Sequence, residues 1–369
     1  MRFCGTPQNQ NIRSSLLVNY FRTAAHSLSL LMVCLLATVA RGQEAPRLVR
    51  AFPESIHLRH VHDSARLIPI GADSRRELDL SESAEVLTSN PAVVAVRRSG
   101  AGNGIVVVPQ GDGDATLTVS LADQKINVPV KVENFTANRP VRFDLDVEPI
   151  LVANGCSTGP CHGKSRGQNG FQLSLLGFDP DFDFAQLTQQ ARGRRVFLAA
   201  PRSSLLLLKG SAQLPHGGGE RLAKDSAAYE TLLRWIEEGA PRSTPNQPEL
   251  VKVTVFPEKI VLRPKEKHRV VVTAHYSDGT TADVTGDCAF QSSESAIVAA
   301  NNAGLLTAGQ LPGETAIMTR YLSYINTVHV LIPSENSIPA EVYANLPRFN
   351  PIDDLVWQKL KATGITLRR

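Results

Sequence analysis

FPESIHLR (Phe52–Arg59) and FPEKIVLR (Phe256–Arg263) share six of eight residues at an offset of 204. The same offset aligns SNPAVVAV (Ser89–Val96) with SESAIVAA (Ser293–Ala300), and GDATL from Gly113 matches GETAI from Gly313 at an offset of 200. Three blocks in one order define two copies of a module of about 85 residues, at roughly 48–134 and 249–333. Within the copies, Val251, Val253 and Val255 alternate as on one face of a strand, and Val270–Ala274 and Ile105–Val108 are β-branched runs. Ser277-Asp278-Gly279-Thr280 reads as a hairpin turn. Short strands at regular spacing predict a β-sandwich for each copy.

The second copy also resembles the group 2 bacterial immunoglobulin-like domain: an FPxxIxL opening, a YSDGTTADVT hairpin (Tyr276–Thr285), an S-x-x-x-x-V segment and a G-x-x-x-I closing strand. The first copy has Gly71-Ala72-Asp73-Ser74 in place of the D-G-T hairpin, so its edge is expected to be remodelled.

Upstream of the repeat, an acid-free region with Arg2, Arg13 and Arg22 leads into the apolar run Ser27–Ala40 and an Ala40-Arg41-Gly42 cleavage pattern. This is the layout of a signal peptide over 1–42, too short in its apolar part to span a bilayer comfortably. Export to the periplasm or cell surface is expected, with no transmembrane span after signal removal. The whole chain has 39 Lys+Arg against 35 Asp+Glu, and the four arginines of the leader account for the difference. The mature chain is thus formally neutral and lacks the basic stripe of a nucleic-acid binder.

Between the copies, residues 140–243 differ in kind. Val147–Ala153 suits a short helix, and Asp225–Glu238 a longer one, with Tyr229, Leu232, Leu233 and Ile236 at i, i+3, i+4 and i+7 and Gly239 as its stop. After the first of these comes CSTGPCH (Cys156–His162). Two cysteines followed at once by histidine suggest covalent haem c: Cys156 and Cys161 as thioethers and His162 on the iron. The usual spacing is C-x-x-C-H, so the loop must bulge here. A disulfide closing a small loop of an exported protein and a zinc site using Cys156, Cys161, His162 and His216 stay open on the residues alone. Cys288 reads as a small buried apolar residue.

PRSSLLLLKG (Pro201–Gly210), LPHGGGERL (Leu214–Leu222) and LLRWIEEGAP (Leu232–Pro241) resemble the planctomycete cytochrome c domain, found in exported proteins beside immunoglobulin-like modules. The resemblance implies a mainly α cytochrome c-like domain with a second axial ligand in the loop before the W-I-x-x-G-A-P helix. That loop holds Leu214-Pro215-His216 where Met-Pro-Pro is usual, and the only methionine of the mature chain, Met318, lies in the second β module. His216 is therefore the expected sixth ligand. A bis-histidine iron is saturated and suits one-electron transfer with a redox partner protein or envelope carrier. Gly217–Gly219 would admit the porphyrin edge, and Arg194, Arg195 or Arg221 would meet its propionates.

Other motifs carry less. Gly163–Gly167 matches G-x-S-x-G and His216–Gly219 matches HGGG, but in reversed order for a hydrolase. Gly159–Ser165 is one residue short of a phosphate loop, and one of the aspartates at 179, 181 and 183 is expected to cap a helix in place of a calcium loop. His57, His60 and His62 read as exposed polar positions of a strand. Asn350-Pro351 opens a helix whose Ile352, Leu355, Val356 and Leu360 form a stripe with no domain to bury it. NPIDDLVWQKLKATGI resembles the start of a larger domain in the same family.

The expected organisation is multidomain: a signal peptide (1–42), an immunoglobulin-like sandwich (43–135), a cytochrome c-like domain (140–243), a second sandwich (248–333), and a linker with the start of a helical domain (339–369). The expected function is envelope electron transfer with no catalytic residue assigned. The alternative is a surface scaffold binding polysaccharide or protein, with a disulfide in place of haem.

Overall fold

Alternation along each β segment buries every second side chain, and the two repeat copies use that alternation identically. In the computed structural model, residues 46–365 are described, apart from 74–75, 100–103, 138, 243–246 and 335–337. The expected signal peptide lies outside these residues.

The first module contains β1 (Arg47–Phe52), β2 (Ile56–Leu58), β3 (Ala65–Ala72), β4 (Glu77–Asp79), β5 (Glu85–Thr88), β6 (Val94–Ser99), β7 (Gly104–Pro109), β8 (Gly113–Leu121) and β9 (Gln124–Val132). One sheet runs β1-β3-β7-β6 with β4 on β3; the other runs β2-β9-β8-β5. The second module repeats the plan with β10 (Leu250–Phe256), β11 (Lys259–Val261), β12 (Lys267–Arg269), β13 (Val271–Tyr276), β14 (Thr281–Asp283), β15 (Ala289–Ser292), β16 (Val298–Ala300), β17 (Leu305–Ala308), β18 (Gly313–Tyr321) and β19 (Tyr324–Ile332). The counterpart of β3 is split into β12 and β13. Ile56 pairs in parallel with Val130, and Ile260 with Val330, so even the short parallel strand recurs.

Each module has its own core: Leu117, Val119, Val128 and Val130 in the first, Ile317, Val328, Val330 and Cys288 in the second, all at most 2% exposed. The hairpin at Ser277–Thr280 forms as expected, with Tyr276 N–H donating to Thr280 O and Gly279 at φ 78°. Val251 departs from expectation. A register shift between Leu250 and Lys252 turns it outward, 59% exposed, while Val253 and Val255 stay buried.

The modules meet along a seam that obeys the repeat. Phe52 and Phe256, equivalent at the offset of 204, stack with centroids 3.8 Å apart, and Ile68, Ile70 and Val271 are buried around them. Asp79 accepts the backbone N–H of Arg269 at 2.8 Å and its guanidinium at 3.1 Å. Reciprocally, Asp283 accepts the N–H of Arg66 at 2.7 Å and its guanidinium at 2.8 Å. Asp79 and Asp283 are repeat equivalents, as are Arg66 and Arg269. The seam is therefore isologous within one chain, in the manner of a two-fold dimer.

The middle segment corrects the expected fold class. Its helices are short: α1 (Glu148–Ala153), preceded by a π turn at Phe143–Val147, α2 (Pro180–Thr188), α3 (Leu205–Gly210) and α4 (Ala227–Glu237). Turns fill most of the rest, and Asn169, Leu176, Ala191, Arg192, Ala212, Asp225 and Ala240 all take positive φ, which ends helices repeatedly. Strand outweighs helix over the described chain, and no mainly α cytochrome-like domain is present. The two expected helices do form, with Ser226 capping α4 and Tyr229, Leu232, Leu233, Trp235 and Ile236 buried. Phe143 packs edge-on to Phe184 at 5.2 Å and lies 5.5 Å from Trp235. Asp179 caps α2 by accepting Phe182 N–H, as expected.

After the second module come α5 (Ala340–Ala344) and α6 (Pro351–Thr363), the latter with a capping box between Asn350 and Asp353. Ile352 and Leu355 are both 66% exposed. Among the described residues no helix is long and apolar enough to cross a membrane.

Candidate functional site

The turn after α1 brings the expected residues together. His162 N–H donates to Cys156 O at 3.0 Å, and Cys161 N–H and Gly163 N–H both donate to Thr158 O. The four residues between the cysteines are thereby folded back into a tight loop. A Cβ at Gly163 would lie 2.0 Å from Ser157 O, so only glycine fits after the histidine. Both cysteines are half-buried free thiols, not joined to each other. That removes the disulfide from the alternative reading. Burial, and then the neighbouring Cys161, push the Cys156 thiol up to about 12, so it stays protonated.

His162 and His216 face each other across this loop with ring planes 10° apart and centroids 6.3 Å apart. Nδ1 of His162 donates to Phe171 O and Nδ1 of His216 donates to Gly219 O, each at 2.9 Å. A carbonyl only accepts, so each ring carries a proton on Nδ1, and in the neutral form Nε2 is a lone pair. Burial, foremost, holds the His162 pKa below the ordinary histidine value, which favours that neutral form. A Cβ at Gly218 would come within 3.0 Å of the His216 ring, so this glycine lets the ring settle.

The arginines expected at propionates are used otherwise. Arg195 is buried, donates to the carbonyls of Gln186, Gln190 and Gly170, and lies 4.4 Å over the Phe171 ring. Arg221 donates through Nε to Gly218 O and so braces the histidine loop.

Beneath the loop is a pair that the sequence reading missed. Glu148 at the start of α1 and Asp183 in α2 are both fully buried. Asp183 accepts Ser174 N–H and Oγ–H. Burial, and next the charge of Asp183, push Glu148 up to about 9, and burial raises Asp183 as well. In a dry core the charge of one carboxylate disfavours ionisation of the other, which keeps Glu148 protonated at neutral pH.

His60 is also corrected. It sits in a turn after β2, not on a strand, and is buried, with Nε2 2.8 Å from Asp63.

No protein-family model matches this chain, and comparison with curated proteins returns no relative. Among solved structures, domains 5–6 of the S-layer protein SbsC match at 10% identity and TM-score 0.32, covering 79% of this chain and 100% of that one. Domains 4–9 of SbsC match at 11% and TM-score 0.31, covering 79% and 32%. Invasin, a bacterial integrin-binding protein, matches at 10% and TM-score 0.17, covering 78% and 38%. Similarity at that level decides neither fold nor role. The middle segment consists of short helices and turns instead of a mainly α domain, and among the described residues no group of three or more His, Cys, Asp or Glu side chains converges on a metal position. The planctomycete cytochrome c assignment, with the cytochrome and electron-transfer role it implied, is thereby corrected, and no redox partner is supported.

Proposed function

We propose that this protein is an exported scaffold of the cell envelope or surface, in which two immunoglobulin-like sandwiches hold the small middle unit in a fixed position and present ligand-binding faces. The observation that carries this reading is the isologous seam. Two buried reciprocal ion pairs and a stacked phenylalanine pair lock modules that would otherwise move as independent beads. The leader pattern at 1–42 supports export. Expression with the native leader, followed by fractionation and N-terminal mass analysis, tests it. Mature protein beginning near Gln43 in an envelope or surface fraction is expected; intact Met1 in the cytoplasm would overturn the reading.

The imidazole pair supports a second reading at the level of the site alone: a porphyrin iron between His162 and His216, tethered by Cys156 and Cys161. The residues fit such a group. Nδ1 of each ring is bound to a backbone carbonyl, so Nε2 of His162 and Nε2 of His216 are the atoms that would hold such a group. This chain's own part would be to set the two rings through Phe171 O and Gly219 O and to supply the thiols of Cys156 and Cys161 for thioether formation. The mass of protein matured in a haem-attaching host separates the readings: a gain of one haem is expected, and an unmodified mass with both thiols free would remove the haem.

A further inference from the structure

The middle unit is fastened to the second sandwich at its π turn. Leu145 of that turn is buried within the core of the second module. Its carbonyl accepts Tyr321 Oη–H at 3.0 Å, and the Arg142 guanidinium lies 5.5 Å from the centre of the Tyr276 ring. The first module reaches the same place, because a Cβ at Gly286 would come within 3.3 Å of Arg66 Nη2. All three units therefore meet at the Thr285–Asp287 turn.

One side chain at this junction is not required by the fold. At the repeat offset Asp287 corresponds to Ser83: Asp287 N–H donates to Val284 O and Ser83 N–H to Leu80 O, both at 3.0 Å. The turn thus forms without an acid at this position. Yet the Asp287 carboxyl sits beside two other aspartates, Asp146 of the π turn and Asp283 of the seam, and makes no hydrogen bond or ion pair of its own among the described residues. The neighbouring cations are already committed, Arg139 and Arg142 to Asp146 and Arg66 to Asp283. Tyr321 and Cys288 of the second module also lie within reach of its charge. Asp287 is half-buried on the wall of a cleft that His60, His62 and Asp63 line as well, so water reaches its proton.

We propose that Asp287 is a proton-operated latch between the middle unit and the second sandwich: protonated, it lets the π turn seat on the second module, and ionised, it repels Asp146 and opens that contact. A third carboxylate beside two that have taken the available cations has no counter-charge, so its ionisation costs more in the seated state than in the open one. Burial, and next the charge of Asp146, push the Asp287 carboxyl up to about 7, with Asp283 adding to the shift and Arg66 opposing it. The seated state therefore keeps a proton from the ordinary value of 3.8 up to about 7, where the open state has lost it. Opening accordingly grows as pH rises across that interval and levels off above it.

Amide hydrogen exchange of the full mature chain, corrected for the intrinsic pH dependence of exchange, tests this. The amides of Asp146 and Val147, both bonded to Arg142 O, report the seating of the turn. Between pH 5 and pH 7.5 their protection is expected to fall at least tenfold in the parent, while the amides of α4 keep theirs. Asp287→Asn is expected to abolish the fall. Asp287→Ser, which installs the residue type of the other copy, is expected to do the same. His60 and His62 stay in place in both variants, so a fall that persists there belongs to the histidines and overturns the proposal. Equal protection at both pH values in the parent would overturn it too, as would a fall shared by α4, which would mark unfolding of the whole middle unit.

Discussion

At the scale of single residues, the most consequential feature is a proton held where water cannot reach it. Glu148 keeps its proton to about 9 in the folded chain, whereas the same carboxyl in an unfolded chain ionises near 4.5. Between those values the folded state binds more protons, so this group makes stability fall as pH rises. Glu148→Gln should remove that slope: denaturant midpoints followed from acid to alkaline pH should decline less in the variant, with the largest gain at the alkaline end. A variant that tracks the parent at every pH would contradict the raised Glu148 carboxyl. Asp146 works in the opposite sense. Burial alone would raise it, but Arg139 and Arg142 hold it well below the usual carboxylate range, so its contribution is present at neutral pH and lost on acidification. Neither group was legible in the sequence, because nothing local marks an acid as buried. His60 failed for a related reason: strand alternation was applied to a turn, and the tertiary partner Asp63 decided its burial.

At the scale of elements, the middle unit depends on α4 and on two glycine-bound loops. Trp235 is fully buried and donates Nε1–H to Pro241 O at 2.9 Å. Trp235→Ala should cost about 3–5 kcal/mol, read as a shifted unfolding curve, and a loss under about 1 kcal/mol would mean the unit is not packed around it. Gly163→Ala should unseat the cysteine loop, visible as faster alkylation of Cys156 and Cys161, because a methyl there meets Ser157 O. Unchanged alkylation would contradict the close approach. Helix periodicity identified α4 within a residue or two, and the hairpin at Ser277–Thr280 followed from its turn residues. The cytochrome-like domain did not follow, although the short motifs on which it was expected are present. Those motifs fix a few helical turns, while the left-handed residues between them, several not glycine, set how the turns pack and leave no periodic trace.

At the scale of the whole molecule, the two sandwiches behave as a dimer written into one chain. The repeat offset places Asp79 with Asp283 and Phe52 with Phe256, so the two-fold relation was available in the sequence. Which equivalent residues touch was not, since self-similarity shows that modules correspond and not that they meet. Each reciprocal ion pair is almost wholly buried, with side-chain exposures of 12% and 6% for Arg66–Asp283 and 9% and 0% for Arg269–Asp79. Removing one partner leaves an uncompensated charge, so Asp79→Ala and Asp283→Ala should each destabilise by about 3–5 kcal/mol, and by similar amounts because the pairs are equivalent. The most direct measurement of the seam is differential scanning calorimetry of the mature chain beside the Asp79→Ala/Asp283→Ala double variant. The parent should melt in one cooperative transition and the double variant in separated transitions as the modules uncouple. Two independent transitions in the parent would contradict the lock on which the scaffold reading rests.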